Sequence, residues 1–352
     1  MTGKPAEALQ EHQKGLAIRQ KLADANPAGK ELWSDLATSH FYIGRVLLQT
    51  GNPEQTLNEY AKGAAIQQKL ADDYPAALGF QSDLAQSHFE IGWLLAITGK
   101  SDQALQEHQK ALAIKQKLAD ANPAVTAFQN ELARSHLYIG DVLRDARKLN
   151  EALAEYQKAL AVMRKLAEAN PTIPEYRSDV ARCSYRIGRV LARQGRPEDA
   201  LFYLDTAHAL LQQLVDSYPE NVQYTMYMAY SHVYRGLAHL RAGHAAEAAT
   251  DLRRGVDLSA RNKTPDFQDR FELSRMLAML AGLAADIKSG VTAAEGTAFA
   301  DQAVAALRDA IQNGWGQYDE LNEPDFDAIR SREDYRKLLA VSQAESAPKA
   351  RP

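Results

Sequence analysis

The chain repeats itself every 48 residues, and that period limits what it can fold into more than any other feature. The segment TGKPAEALQEHQKGLAIRQKLADANP, from Thr2 to Pro27, returns almost unchanged as TGKSDQALQEHQKALAIKQKLADANP, from Thr98 to Pro123, and a third copy begins midway at Thr50. Pro27, Pro75, Pro123, Pro171 and Pro219 fall at this spacing, as do Gly44, Gly92, Gly140, Gly188 and Gly236. Leu22, Leu70, Leu118, Leu166 and Leu214 form another column. Such a chain is an array. Each unit carries an apolar stripe that it cannot bury alone, so neighbouring units stack and share a continuous core.

Within a unit the apolar residues recur at helical spacing. Leu84, Phe89 or His88, Ile91, Leu94 and Leu95 predict a first helix through SDLAQSHFEIGWLLAIT, and first helices stop at a glycine such as Gly51, Gly99 or Gly195. In GNPEQTL, Asn52 is placed to cap the next helix, Pro53 to occupy its first position and Glu54 to complement its dipole. A second helix then runs through EALAEYQKALAVMRKLAEAN to a break at Pro171. No period-2 alternation points to strands, so the fold class is all-α. The glycine column predicts close helix approach, with Leu9, Leu57, Leu105, Leu153 and Leu201 filling the partner helix.

Ile139-Gly140, Leu143, a turn ending at Leu149, then Ala152, Tyr156 and Ala159 resemble the tetratricopeptide pattern. The resemblance implies a right-handed α-solenoid of stacked antiparallel helix pairs, a tetratricopeptide superhelix. The usual unit is about 34 residues, so the additional length here is expected in longer helices that end at the proline column. The KLADANP and LARSH segments resemble in particular the long arrays fused to bacterial serine/threonine protein kinases. The expected organisation is five units over 1–241, the first opening at its second helix, and a degenerate sixth pair over 242–313. A closing segment over 314–340 and a disordered tail over 341–352 follow.

The remaining composition excludes rather than selects. A formal net charge of −4 gives no reason to expect nucleic acid or an anionic membrane, and the lone Cys183 excludes an internal disulfide. No signal peptide or membrane span is legible, so a cytoplasmic location is expected. The kinase, P-loop, zinc-protease and serine-hydrolase signatures are all missing, and the chain is read as non-catalytic, with no cofactor and no metal. Ser39-His40, Ser87-His88, Ser135-His136 and Ser231-His232 look like a catalytic pair until their recurrence is noticed. Adjacent helical residues point about 100° apart, and Cys183-Ser184 replaces the pair in the fourth unit, so the histidines are read as packing joints.

The resemblance implies that first helices line a concave groove that binds a peptide or protein. Its candidate residues are Phe41, Arg45, Phe89 and Trp93 in the early units, then Arg134, Tyr138 and Arg144, then Arg182, Arg186, Arg189 and Arg193. The last four share one helix face, and arginine forks suit carboxylates, so an acidic or carboxy-terminal peptide is the expected ligand. The favoured function is a non-catalytic interaction scaffold. The alternative is the regulatory, substrate-recruiting region of a bacterial serine/threonine kinase whose catalytic domain lies outside this chain. The N-terminal end is as regular as an internal copy, and self-association through it is a further expectation.

Overall fold

A computed structural model describes residues 5–316 and 318–346, and every described regular element is helical. The chain divides between Leu166 and Ala167 into two compact units. In the first, α1 (Pro5–Ala25), α3 (Pro53–Asp73) and α5 (Ser101–Ala121) alternate with α2 (Lys30–Gln49), α4 (Leu78–Ile97) and α6 (Thr126–Asp145). Each helix packs against the next in sequence, with α2 against α3 and α4 against α5 as the tightest antiparallel pairs. The division falls inside α7 (Leu149–Ala169). In the second unit α8 (Pro174–Arg193) pairs with α9 (Pro197–Ser217), and α10 (Val222–Ala242) with the shorter α11 (Ala245–Ser259). A further pair, α12 (Phe267–Leu283) and α13 (Ala293–Gln312), follows.

The sequence period appears directly in the backbone. α1, α3, α5, α7 and α9 all end two residues before their proline, because the residue preceding a proline is pushed out of the helical region. The proline then occupies a tight turn: Gly29, Ala77, Val125, Ile173 and Asn221 each donate an N–H to the carbonyl three residues back. The opposite connections close by a different device. Asn52, Lys100, Lys148, Arg196 and His244 donate to the carbonyl five residues back, at 2.8–3.0 Å, the six-to-one bond of a left-handed helix stop. Gly51, Gly99, Gly195 and Gly243 supply the positive φ that this stop requires. In the third turn Arg147 takes the same conformation at φ 61°.

Inside each pair the glycine column permits contact closer than any side chain would allow. A Cβ built on Gly44 would lie 2.5 Å from the Tyr60 ring, on Gly140 2.5 Å from Tyr156 and on Gly92 2.9 Å from His108. Gly188 meets Leu204 and Gly236 meets Leu252 in the same way. The leucines expected to fill the second helices are only half-buried; Ala104, Ala152 and Ala200, each just before them in sequence, are fully enclosed. Small residues carry the closest packing because the helices approach most nearly there. Asn52 precedes α3 as expected, but its side chain donates to Thr50 rather than capping the helix.

The C-terminal segment closes the second unit. Trp315 stacks on Phe271 at 3.9 Å between ring centroids, and Leu321, Phe326 and Tyr335 bury beside them. Short 3-10 turns at Tyr318–Asn322 and Pro324–Phe326 lead into α14 (Asp327–Arg330) and α15 (Glu333–Ser346). The expected tail from 341 is therefore helical as far as Ser346, and 347–352 lie outside the described residues.

Arg147 holds a left-handed conformation that costs an L-residue about 1 kcal/mol. Arg147→Gly is expected to raise the unfolding free energy by up to that amount, read as a higher urea midpoint. A variant less stable than the parent would show that Arg147 contributes more through its side chain than its backbone costs.

Candidate functional site

Each recurring histidine meets a carboxylate on the partner helix. His40 Nδ1 lies 2.7 Å from Glu59, His88 2.7 Å from Glu107 and His136 2.6 Å from Glu155, always across one antiparallel pair. His232 meets Asp251 at 2.8 Å in the equivalent place. The preceding serines turn away: Ser39, Ser87 and Ser135 donate to the carbonyl four residues back. Each glutamate also binds a lysine three residues on, Lys62, Lys110 or Lys158. Burial pushes Glu59, Glu107 and Glu155 upward, but the hydrogen bonds and charges of these lysines and histidines outweigh it and hold all three below the ordinary glutamate value. This is a clasp between helices, with no nucleophile aimed at a base. Among the described residues, no group of three or more His, Cys, Asp and Glu side chains is arranged to hold a metal ion, and no helix is long and apolar enough to cross a membrane.

On the first helices of the N-terminal unit, several candidate residues form a surface. Phe89 of α4 and Tyr138 of α6 meet edge to face at 4.6 Å, and Phe89 also touches His108. One turn along α4, Trp93 is 36% exposed. One turn back along α6, Arg134 has 45% of its side chain exposed, with Glu131 at 3.7 Å. The i, i+4 spacing puts Trp93 beside Phe89 and Arg134 beside Tyr138, so the ring contact joins the four into a continuous patch. Arg45 is exposed on α2, whereas Phe41 packs inward on Tyr60 at 5.0 Å. Arg144 folds back onto Asp141 at 2.8 Å and Asp145 at 2.7 Å, and only 10% of its side chain is exposed.

The arginine stripe of α8 is largely occupied by groups of its own unit. Arg182 binds Asp179 at 2.8 Å and lies over the Tyr227 ring, and Arg186 stacks on Tyr185. Arg189 is buried, lies over Tyr234 and reaches both oxygens of Glu320 at 3.0 and 3.1 Å. Arg193 reaches the same carboxylate at 3.3 Å. Fully buried Arg275 completes the cluster, bound to Glu272 and Glu320, with Asp325 at 3.2 Å. Burial works against the charge on Arg275, but Glu272 and Glu320 hold it well above its ordinary value; burial pushes Asp325 up. The expected external anion at Arg189 and Arg193 is thus replaced by a carboxylate from the closing segment of the same unit. Sequence reasoning missed Glu320 because it lies 131 residues from Arg189, and the acidic run around it suggested only a cap.

No protein-family model matches the chain, and no curated protein matches it. Solved structures do. The apo form of RapI superposes with a TM-score of 0.64 at 12% identity, covering 95% of this chain and 80% of its own. BtubC from P. vanneervenii gives 0.57 at 15% identity, covering 75% of this chain and 95% of its own. The Rap conjugation gene regulator of plasmid pLS20, in complex with the Phr* peptide, gives 0.50 at 14%, covering 89% and 77%. The fold is of the tetratricopeptide-repeat type. At these identities the likeness is one of fold alone.

One consequence is pH dependence. Burial, with Lys115 adding to it, lowers His108 to about 4, against about 6.5 unfolded. Between those values the folded chain binds fewer protons than the unfolded one, so stability is complete above pH 6.5 and falls as the pH drops toward 4. The clasped glutamates, also lowered, add loss of the same sign below about 4.5. His108→Tyr, the residue its column carries at Tyr60 and Tyr156, is expected to remove about 2 kcal/mol of the stability lost between pH 7 and about pH 5. Urea midpoints at the two pH values measure it. An unchanged difference would mean that His108 is not buried in its neutral form.

Proposed function

We propose that the chain is a non-catalytic scaffold that holds a peptide or protein segment against its first helices. The observation that carries the proposal is the patch of Phe89, Trp93, Arg134 and Tyr138, where half-buried rings lie beside an exposed tryptophan and an exposed arginine. Aromatic and arginine side chains dominate binding at many protein interfaces: the rings present large, rigid area at little cost in rotamer freedom, and the guanidinium supplies a fixed fork of donors. The peptide complex of the pLS20 Rap regulator supports the same use of the fold. Arg45 on α2 favours an acidic segment. Arg144, Arg182, Arg189 and Arg193 contribute less, since each already holds a carboxylate of its own unit. The kinase-linked reading gains no support from the solved structures that this chain resembles, and no residue geometry favours it.

Selection of a random peptide library on the immobilised chain tests the proposal. Enriched peptides are expected to be acidic with at least one aromatic residue and to bind more weakly as salt rises. Trp93→Ala and Arg134→Glu are each expected to weaken them about tenfold or more, a loss of about 1.4 kcal/mol. Unchanged affinity in both variants, with helical circular dichroism intact, would remove this patch from consideration.

Self-association belongs to the same proposal. Ile18 and Leu22 on α1 are 61% and 50% exposed, whereas Leu118, the equivalent of Leu22 in α5, is buried. Pairing through α1 predicts a mass that rises with concentration in light scattering. A concentration-independent monomer would exclude it.

A further inference from the structure

The first joint of the array contains a cavity built from departures from the repeat. At the position of Trp33 the next two units carry Gln81 and Gln129, which donate to the carbonyls of Ala71 and Ala119 on the preceding helix at 2.9 Å. An indole has a single N–H and no flexible stem, and that of Trp33 donates instead to the carbonyl of Pro27 at 3.2 Å. At the end of α3 the column that carries Asn26, Asn122 and Asn170 holds Tyr74, and a tyrosine returns in it at Tyr218. Between Trp33 and Tyr74, with Ile66 and Leu70 among the lining residues, lies a cavity of about 240 Å³. This is below the usual range for drug-sized ligands and suits a single large side chain.

The charge around the cavity is uneven. Lys30 and Lys69 line it, with Asp73 as the only acid among the lining residues. Lys30 sits over the Tyr74 ring, 5.3 Å from its centre, and its one carboxylate neighbour is the exposed Glu31 at 3.9 Å. Among the described residues Lys69 has no ion-pair partner. An apolar chamber with two ammonium groups and one carboxylate at its rim complements a group that is apolar at one end and carries both an anion and an N–H at the other.

We propose that this cavity binds the carboxy-terminal residue of a peptide that ends in a large apolar side chain. The side chain fills the space between Trp33 and Tyr74, Lys30 and Lys69 receive the terminal carboxylate, and Asp73 accepts the last amide N–H. The site is separate from the Phe89–Tyr138 patch and uses none of its residues, so either can fail without the other.

Three tryptophans, Trp33, Trp93 and Trp315, give three indole N–H signals in a nitrogen–proton correlation spectrum. The full chain is titrated with N-acetyl-L-phenylalanine, its carboxamide and N-acetyl-L-alanine. The Trp33 signal is expected to shift and saturate with the first, to bind the carboxamide at least about fivefold more weakly, and to ignore the third. Trp93 and Trp315 should not move. In Lys69→Gln the preference for acid over amide is expected to shrink toward unity while apolar binding persists. Trp33→Gln, which restores the residue of the column, should abolish heat release with the acid in calorimetry. A Trp33 signal unmoved by N-acetyl-L-phenylalanine overturns the site. Equal response to acid and amide, or an undiminished preference in Lys69→Gln, overturns the carboxylate assignment. Equal response to the alanine derivative shows that no side-chain pocket is being filled.

Discussion

The structure depends on a contact between a glycine and a ring. At Gly44, Gly92 and Gly140 the first helix approaches its partner so closely that Tyr60, His108 or Tyr156 lies where a Cβ would be. Glycine in a helix costs about 1 kcal/mol of propensity. The cost is offset because close approach lets a large side chain bury its face against bare backbone, and it recurs in the five pairs from α2–α3 to α10–α11. Where the partner is Leu204 or Leu252 the aromatic is lost and the approach is kept. The constraint is therefore steric room at one position per unit, and the residue facing it varies within that room.

Around this contact the polar residues act as crosslinks. Serine-histidine pairs invite a catalytic reading, yet each histidine spans to an acid on the partner helix, and each glutamate is held in turn by a lysine. A half-buried carboxylate held by both a histidine and a lysine needs no substrate to account for it. The arginines of α8 follow the same logic at the C-terminal end, where Arg189, Arg193 and Arg275 converge on Glu320. A buried cation left without its counter-charge would cost several kcal/mol, so the closing segment brings its carboxylate with it. Trp315, Leu321 and Phe326 anchor that segment in apolar packing.

The surface that remains for a partner is consequently smaller than the row of candidate residues suggests. Phe41 is turned inward, and Arg144, Arg189 and Arg193 are held by acids, while Arg45, Trp93 and Arg134 stand exposed. Helical spacing could place all of these residues on one face. It could not show which of them a carboxylate elsewhere in the chain would reach. Asp141 and Asp145 were close enough in sequence to suggest their hold on Arg144; Glu320 was not.

What the sequence by itself determined is whatever repeats. The 48-residue period, the helix ends before each proline, the left-handed stops and the glycine joints all follow from residue types whose backbone limits are local. The tertiary structure decided what happens once. Arg147 adopts a glycine's conformation, Trp33 turns its indole to Pro27, and Glu320 neutralises a cluster on a helix far away in sequence. Periodicity reports only what is common to all units. A side chain that departs from it acquires its role from neighbours that only folding brings within a few ångströms.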